Sequence, residues 1–235
     1  MITTILFDLD GTLLPMDQDA FIKAYLTGLA RKAAPHGYDP SAVPGYIWKA
    51  TGAMYRNDGT STNEDVFWNV FSSHCGKDAR KDIAVFEDFY RNEFRQLQAV
   101  CGFNPRAAEA IREIKSLGYR VALATNPLFP AIATYSRARW AGLNPEDFDL
   151  ITTYEESRRC KPNPAYYQDV LDTLGVKADE CVMVGNDVGE DMVAQKLGIR
   201  VFLLTDCLIN KSDADISQYP HGSFPELMEF IHGLK

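Results

Sequence analysis

Histidine is scarce in this 235-residue chain: His36, His74, His221 and His232 stand near no recognisable ligand partner, and His74 beside Cys75 reads as local structure. A tetrahedral zinc site is therefore not expected. The cysteines (Cys75, Cys101, Cys160, Cys181 and Cys207) form an odd set with no C-x-x-C pair. That argues against a disulfide framework and a zinc knuckle, and fits a reducing cytoplasm. Long hydrophobic runs are missing too: polar or charged residues interrupt each one well before the roughly eighteen apolar positions that a spanning helix needs. The apolar stretch Thr3 to Leu6 is too short for a secretion signal, lacks a basic flank and is followed closely by Asp8. Neither export nor membrane insertion is expected. Positive charge is in deficit, with 24 Lys and Arg against 32 Asp and Glu, a net charge of −8 and a pI near 5.0. The surface as a whole repels phosphate backbones, so nucleic acid is not an expected partner, and an anionic substrate would need a locally positive site.

What is present suffices for a folded core. Hydrophobic residues make up 46% of the chain and charged residues 24%, far from the signature of disorder. The length suits one main core carrying a modest insertion. Thr3 to Phe7 reads as a strand buried on both faces and ending at Asp8. Asn104 and Pro105 open a helix whose stripe of Ala107, Ala108, Ile111, Ile114 and Leu117 closes at Gly118. Strands are then predicted at Val121 to Ala124, Leu150 to Thr153, Cys181 to Val184 and Val201 to Leu204. Helices are predicted at Pro130 to Ala141, Ala165 to Leu174 and about Glu190 to Leu197. This βα alternation predicts an α/β fold with a doubly wound, mostly parallel sheet.

Between Pro15 and about Cys101 the pattern changes. Phe21, Tyr25 and Leu29, and again Phe67, Val70 and Phe71, recur at helical spacing, glycines and prolines punctuate the segment, and Val85 to Phe94 is its last helix. The expected organisation is a helical insertion over residues 15–100 in a core made of residues 1–14 and 101–235.

Four signals fall at predicted strand ends, where open α/β sheets bind ligands. The first is Asp8-Leu9-Asp10-Gly11-Thr12-Leu13: a strand delivers two carboxylates two residues apart and Gly11 permits a sharp turn. The same acids would also serve merely to open a turn. The second is Thr125-Asn126, where a threonine would equally cap the turn before Pro127. The third is Lys161-Pro162, with Pro162 and Pro164 stiffening the backbone so that the ammonium can be aimed at Asp8; Arg158 and Arg159 are rival cations. The fourth is Gly185-Asn186-Asp187 with Asp191 four residues on, a spacing that suits one side of a turn and also helix N-terminal capping.

In order and spelling these segments resemble the haloacid dehalogenase superfamily, whose first motif is a hydrophobic strand ending in D-x-D-x-T. The resemblance covers about residues 1–14 and 100–205 by motif, and residues 15–100 match the family's helical cap in position and character. It implies that Asp8 is the nucleophile, that Asp10 is the acid that protonates the leaving oxygen and later activates water, and that Thr125, Asn126 and Lys161 hold the phosphoryl group. It also implies Mg²⁺ held by the Asp8 carboxylate, the Asp10 carbonyl and the Asp187 carboxylate, with Asp191 in support. The commoner fourth-motif spelling puts Gly directly before Asp, whereas here Asn186 intervenes, so a neighbour of Asp187 is a rival ligand. Two carboxylates 4 Å apart repel by about 4 kcal/mol at an effective dielectric of 20, a cost that a hard cation relieves.

Asp10 favours phosphate esters over haloacids, because halide leaves without a proton and the family's dehalogenases generally lack that second Asp. The expected protein is thus a phosphatase for a small phosphorylated metabolite. A phosphomutase with the same nucleophile and a non-catalytic binding protein on the same fold are the alternatives. Met16, Asp17, Phe21, Trp48, Tyr55 and Arg56 lie where a cap would meet substrate, although aromatics at helical spacing are more often core.

Overall fold

The structure, a computed structural model, describes residues 1–234. Six strands, β1 (Thr4–Phe7), β2 (Arg120–Leu123), β3 (Leu150–Ile151), β4 (Cys181–Gly185), β5 (Arg200–Leu204) and β6 (His221–Gly222), form one sheet in the order β3-β2-β1-β4-β5-β6. Every pairing is parallel. The order reverses between β1 and β4, and such a reversal leaves a crevice outside the carboxyl ends of those two strands.

Between β1 and β2 the chain is helical: α1 (Gln18–Ala33), α2 (Val43–Tyr55), α3 (Asn63–Cys75) and α4 (Ile83–Arg91), followed by a 3₁₀ segment at Phe94–Val100. The last helix lies at 83–91 where 85–94 was expected, because the chain tightens after Asn92 and turns back toward the sheet. Aromatics make much of this block's interior. Phe67 stacks on Phe71 at 5.7 Å, and Phe86 meets Trp68 edge-on at 5.1 Å. The two crossings into the block lie side by side, with Gly102 N–H donating to the Pro15 carbonyl (2.7 Å) and an antiparallel bridge between Met16 and Cys101.

The remaining helices, α5 (Pro105–Ser116), α6 (Ala131–Trp140), α7 (Pro164–Leu174) and α8 (Phe224–His232), cover the sheet. Ile5 and Phe7 of β1 join the cluster that holds Ile111 and Ile114 of α5 and Leu227 and Ile231 of α8. Leu6, between them, joins the cluster of Tyr167, Val170 and Leu171 on α7. Strand alternation in a sheet buried on both faces produces this division. The block is fixed to α6 and the loop before it by aromatic pairs, Phe94 with Trp140 and Tyr25 with Phe129, each at 5.2 Å and each worth about 0.5–1.5 kcal/mol beyond area burial.

The expected helix at 190–197 is a 3₁₀ segment over Met192–Leu197. Asp191 is pulled inward by Lys161, and the chain tightens after it, with Ala194 N–H bonding the Asp191 carbonyl at 3.2 Å. β3 ends at Ile151, short of Thr153, as Thr152 turns its hydroxyl back to the Thr125 carbonyl (2.6 Å). β6 and α8 extend the core beyond Leu204 and were not predicted, although Phe224, Leu227 and Ile231 recur at helical spacing behind a Ser223–Glu226 capping box. Among the described residues no helix is long and apolar enough to cross a membrane.

Candidate active site

Asp8 follows β1 directly, and the turn after it depends on Gly11. That residue has φ +88°, and a Cβ there would lie 2.3 Å from Asn186 Nδ2, so both backbone conformation and space demand glycine. The Asp8 carboxylate is buried between two donors. Oδ1 accepts from Lys161 Nζ at 2.9 Å, and Oδ2 from the Thr12 hydroxyl at 3.1 Å. Thr12 has one proton to share between Asp8 and Asn186 Oδ1, 2.9 Å away.

Lys161 is 1% exposed and also donates to Asp191 Oδ1 at 2.6 Å. One ammonium thus serves two buried carboxylates. Burial opposes its charge, yet Asp191 and Asp8 outweigh that and hold its pKa well above the usual lysine value. Asp191 carries the deficit: burial, reinforced by Asp8, pushes its carboxyl up to about 7 despite Lys161. Its second oxygen accepts from Asp187 N–H at 3.0 Å, which ties the lysine to the fourth loop. This arrangement leaves no room at Gly185, where a Cβ would lie 2.1 Å from Asp191 Oδ2 and 2.5 Å from its Cβ. Gly185→Ala is expected to lower stability by about 1–3 kcal/mol through overpacking and to loosen Lys161; unchanged denaturant midpoint and activity would contradict that geometry.

Asp10 stands near Asp8 with a cation of its own. Its Oδ2 is paired with Arg137 Nη1, while Oδ1 is buried without a partner among the described residues. Burial raises its carboxyl above the ordinary aspartate value, and Arg137 opposes the rise. Arg137 was not expected from sequence. The signal is there in α6, where Ala133, Thr134, Arg137 and Ala138 are all buried, so a charged residue lies in register with an apolar face.

A cavity of about 250 Å³ opens over these groups. Asp8, Asp10, Thr125, Asn126, Asp187 and Asp191 line it from the sheet side, and Met16, Phe21, Trp48 and Tyr55 from the helical side. Asp17 instead caps α1 by accepting from Ala20 N–H at 3.0 Å, and Arg56 does not line the cavity. Thr125 is buried, its carbonyl held by Tyr166 OH at 2.8 Å. Asn126 turns its amide to Glu190 Oε2 (2.9 Å) and Tyr55 OH (3.3 Å), so it joins the two sides of the cavity as well as facing it. Arg159 Nη1 is taken by both carboxylate oxygens of Asp169 (2.9 and 2.8 Å) and Arg158 by the Thr60 carbonyl, so neither rivals Lys161. None of the four histidines lines the cavity.

Asp187 Oδ1 accepts from Gly189 and Glu190 N–H (2.7 and 3.0 Å), which orients the carboxylate and leaves Oδ2 for another ligand. Asn186, the intervening residue, is occupied with Thr12 and the Cys207 carbonyl. Asp187 is therefore the carboxylate of this loop that faces the cavity with an oxygen to spare. Among the described residues the Asp10 carbonyl accepts no main-chain hydrogen bond. Among the described residues no three His, Cys, Asp or Glu side chains group to hold an ion by themselves. Two carboxylates and a carbonyl, completed by water and substrate, fit Mg²⁺ and not a closed protein cage.

The family model of haloacid dehalogenase-like hydrolases matches residues 2–198. The chain belongs to that family and is a hydrolase. It is 30% identical to the glyceraldehyde 3-phosphate phosphatase of Methanocaldococcus jannaschii, over 100% of this chain and 99% of that protein. It is 27% identical to the ribulose-1,5-bisphosphate 5-phosphatase of Halopiger xanaduensis, over 86% and 84% of the two chains. A solved 2-haloacid dehalogenase from Pseudomonas syringae pv. tomato DC3000 superposes with a TM-score of 0.64 at 20% identity, covering 100% of both chains. That likeness shows the fold alone.

Proposed function

We propose that this hydrolase is an Mg²⁺-dependent phosphatase that cleaves a small phosphomonoester through an aspartyl-phosphate on Asp8. The observation that carries the reading is the pairing of Asp8, which lines the cavity, with Lys161 buried behind it at 2.9 Å, together with a second, separately paired carboxylate at Asp10. A haloacid would need no second acid, since halide departs unprotonated. Residues 1–14 and 101–235 form the hydrolytic core, and residues 15–100 a cap whose two crossings meet at Met16 and Cys101. The cap supplies the apolar wall of the cavity, excluding bulk water during turnover.

Asp8 attacks phosphorus as the bond to the leaving oxygen breaks, and Asp10 gives that oxygen its proton. Lys161 and the Thr125 hydroxyl hold the phosphoryl oxygens, so the charge that develops meets groups already in place. Asp10 then takes a proton from water, the water oxygen attacks phosphorus, and inorganic phosphate leaves with Asp8 restored. Asp8, Asp187 and the Asp10 carbonyl would hold Mg²⁺, which supplies positive charge against the phosphoryl oxygens and the two acids. The cavity of about 250 Å³ suits a small monoester, and the similarity to sugar-phosphate phosphatases points to that class.

Inorganic phosphate released from a panel of triose and pentose phosphates, and a phosphoryl group recovered on the Asp8 peptide after acid quench, test the reading. Return of phosphate to a sugar with dependence on a bisphosphate would make it a mutase instead. Treatment with EDTA is expected to lower the rate by about 100-fold or more, restored by MgCl₂. An unchanged rate would remove the metal from the proposal.

A further inference from the structure

Arg137 is 1% exposed and comes from α6, which contributes none of the residues that the four sequence segments supplied. A buried guanidinium is costly unless its donors are satisfied. Here its Nε reaches the Ala133 carbonyl (3.4 Å), Nη2 the Thr134 hydroxyl (3.3 Å), and its carbon lies 4.3 Å from the centre of the Phe129 ring. These contacts fix the group from three sides, and its one carboxylate partner is Asp10. It does not line the cavity, and its Nε, Nη1 and Nη2 are each turned to a protein partner, Ala133, Asp10 and Thr134, so it acts through Asp10. Asp10 in turn has one oxygen held by Arg137 and the other buried without a donor among the described residues. An unsatisfied buried carboxylate oxygen is expensive, and in a functional site it is a place that an arriving hydroxyl or water fills.

We infer that Arg137 is the positioning residue of the acid–base carboxylate: it holds one Asp10 oxygen so that the other is fixed beside Asp8 and kept for the leaving group and the attacking water. The inference rests on the proposed acid–base role of Asp10. Each acid of the pair then has its own buried cation, Lys161 for the nucleophile and Arg137 for the proton carrier. Lysine in place of Arg137 would keep the charge and lose the fork that contacts Thr134 and Asp10 together.

The test is the single-turnover rate of enzyme phosphorylation with two substrates, an alkyl phosphate, whose leaving oxygen needs a proton, and 2,4-dinitrophenyl phosphate, whose leaving oxygen does not. Arg137→Met is expected to slow the alkyl ester by about 10- to 100-fold, part of the 10²–10⁴ that a positioned acid contributes, and to leave the dinitrophenyl ester within about threefold. Arg137→Lys should fall between. In an Asp10→Asn background, Arg137→Met should cost the alkyl ester nothing further, because a residue acting through Asp10 has nothing left to position.

Equal losses on both substrates, additive losses in the double variant, or no loss at all would overturn the inference and leave Arg137 a structural ion pair. Should Asp10→Asn itself spare the alkyl ester, the acid–base reading fails first and takes the inference with it. If Arg137→Met does not fold, Arg137→Lys and Thr134→Val decide, with the same ordering of the two substrates expected at smaller size.

Discussion

Asp8→Asn is expected to abolish turnover, by about 10⁴-fold or more in kcat, while the folded protein stays as stable as before or gains. The loss of rate follows from chemistry, since an amide at this position cannot attack phosphorus. The retained stability follows from charge. Lys161 now lies between two buried carboxylates, 2.9 Å from Asp8 and 2.6 Å from Asp191, and Asp8 adds to the upward push on Asp191. An asparagine keeps an acceptor for Lys161 or Thr12 and reduces the group to one cation and one anion. Thermal denaturation and phosphate release on the same preparation check both halves. Full activity in Asp8→Asn would refute the covalent route outright, and a collapse in melting temperature would refute the charge account.

Lys161→Met should have the opposite stability signature. It removes the one cation shared by two buried acids, and breaking a buried pair by deleting one partner costs about 3–5 kcal/mol. Turnover should fall with it, because the phosphoryl group loses its fixed positive partner. A pH dependence accompanies the change. The Asp191 carboxyl is already pushed up to about 7 in the folded protein, against the usual 3.8, and loss of Lys161 removes what restrains that rise. Between those values the folded state binds more protons than the unfolded chain, so stability falls as pH rises through the window. The variant, measured in EDTA, is therefore expected to be clearly more stable at pH 5 than at pH 8, with a steeper fall than the parent protein. A variant that melts at one temperature across that range would show that Asp191 is not held charged by Lys161.

Most of the core was readable along the chain, and the reasons are local. Asn104 and Pro105 opened a helix as expected because a cap and a first-turn proline act within one turn, with Asn104 Oδ1 accepting from Arg106 N–H at 3.1 Å. Gly175 closed α7 in the left-handed conformation. Where the reading departed, a distant contact intervened. Residues 190–197 carry a helical pattern but form a 3₁₀ turn because Asp191 is drawn toward a lysine 30 positions earlier. Asn126, read as a phosphate contact beside Thr125, does line the cavity, and what the local sequence does not reveal is that its amide also bonds Glu190 and Tyr55 from opposite sides.

Order and spacing alone determined that two aspartates leave the first strand together, that a threonine, a lysine and an acidic loop end later segments, and that a helical block lies between. Each of these depends on residues within a few positions of one another. Lys161 was read as aimed at Asp8, but that it also serves Asp191, and that Arg137 serves Asp10, was decided only in three dimensions. Lys161 is 153 positions from Asp8, and Arg137 is 127 from Asp10. The reversal of strand order between β1 and β4 gathers these loops at one sheet edge, and burial there makes every unpaired charge costly enough to need a partner.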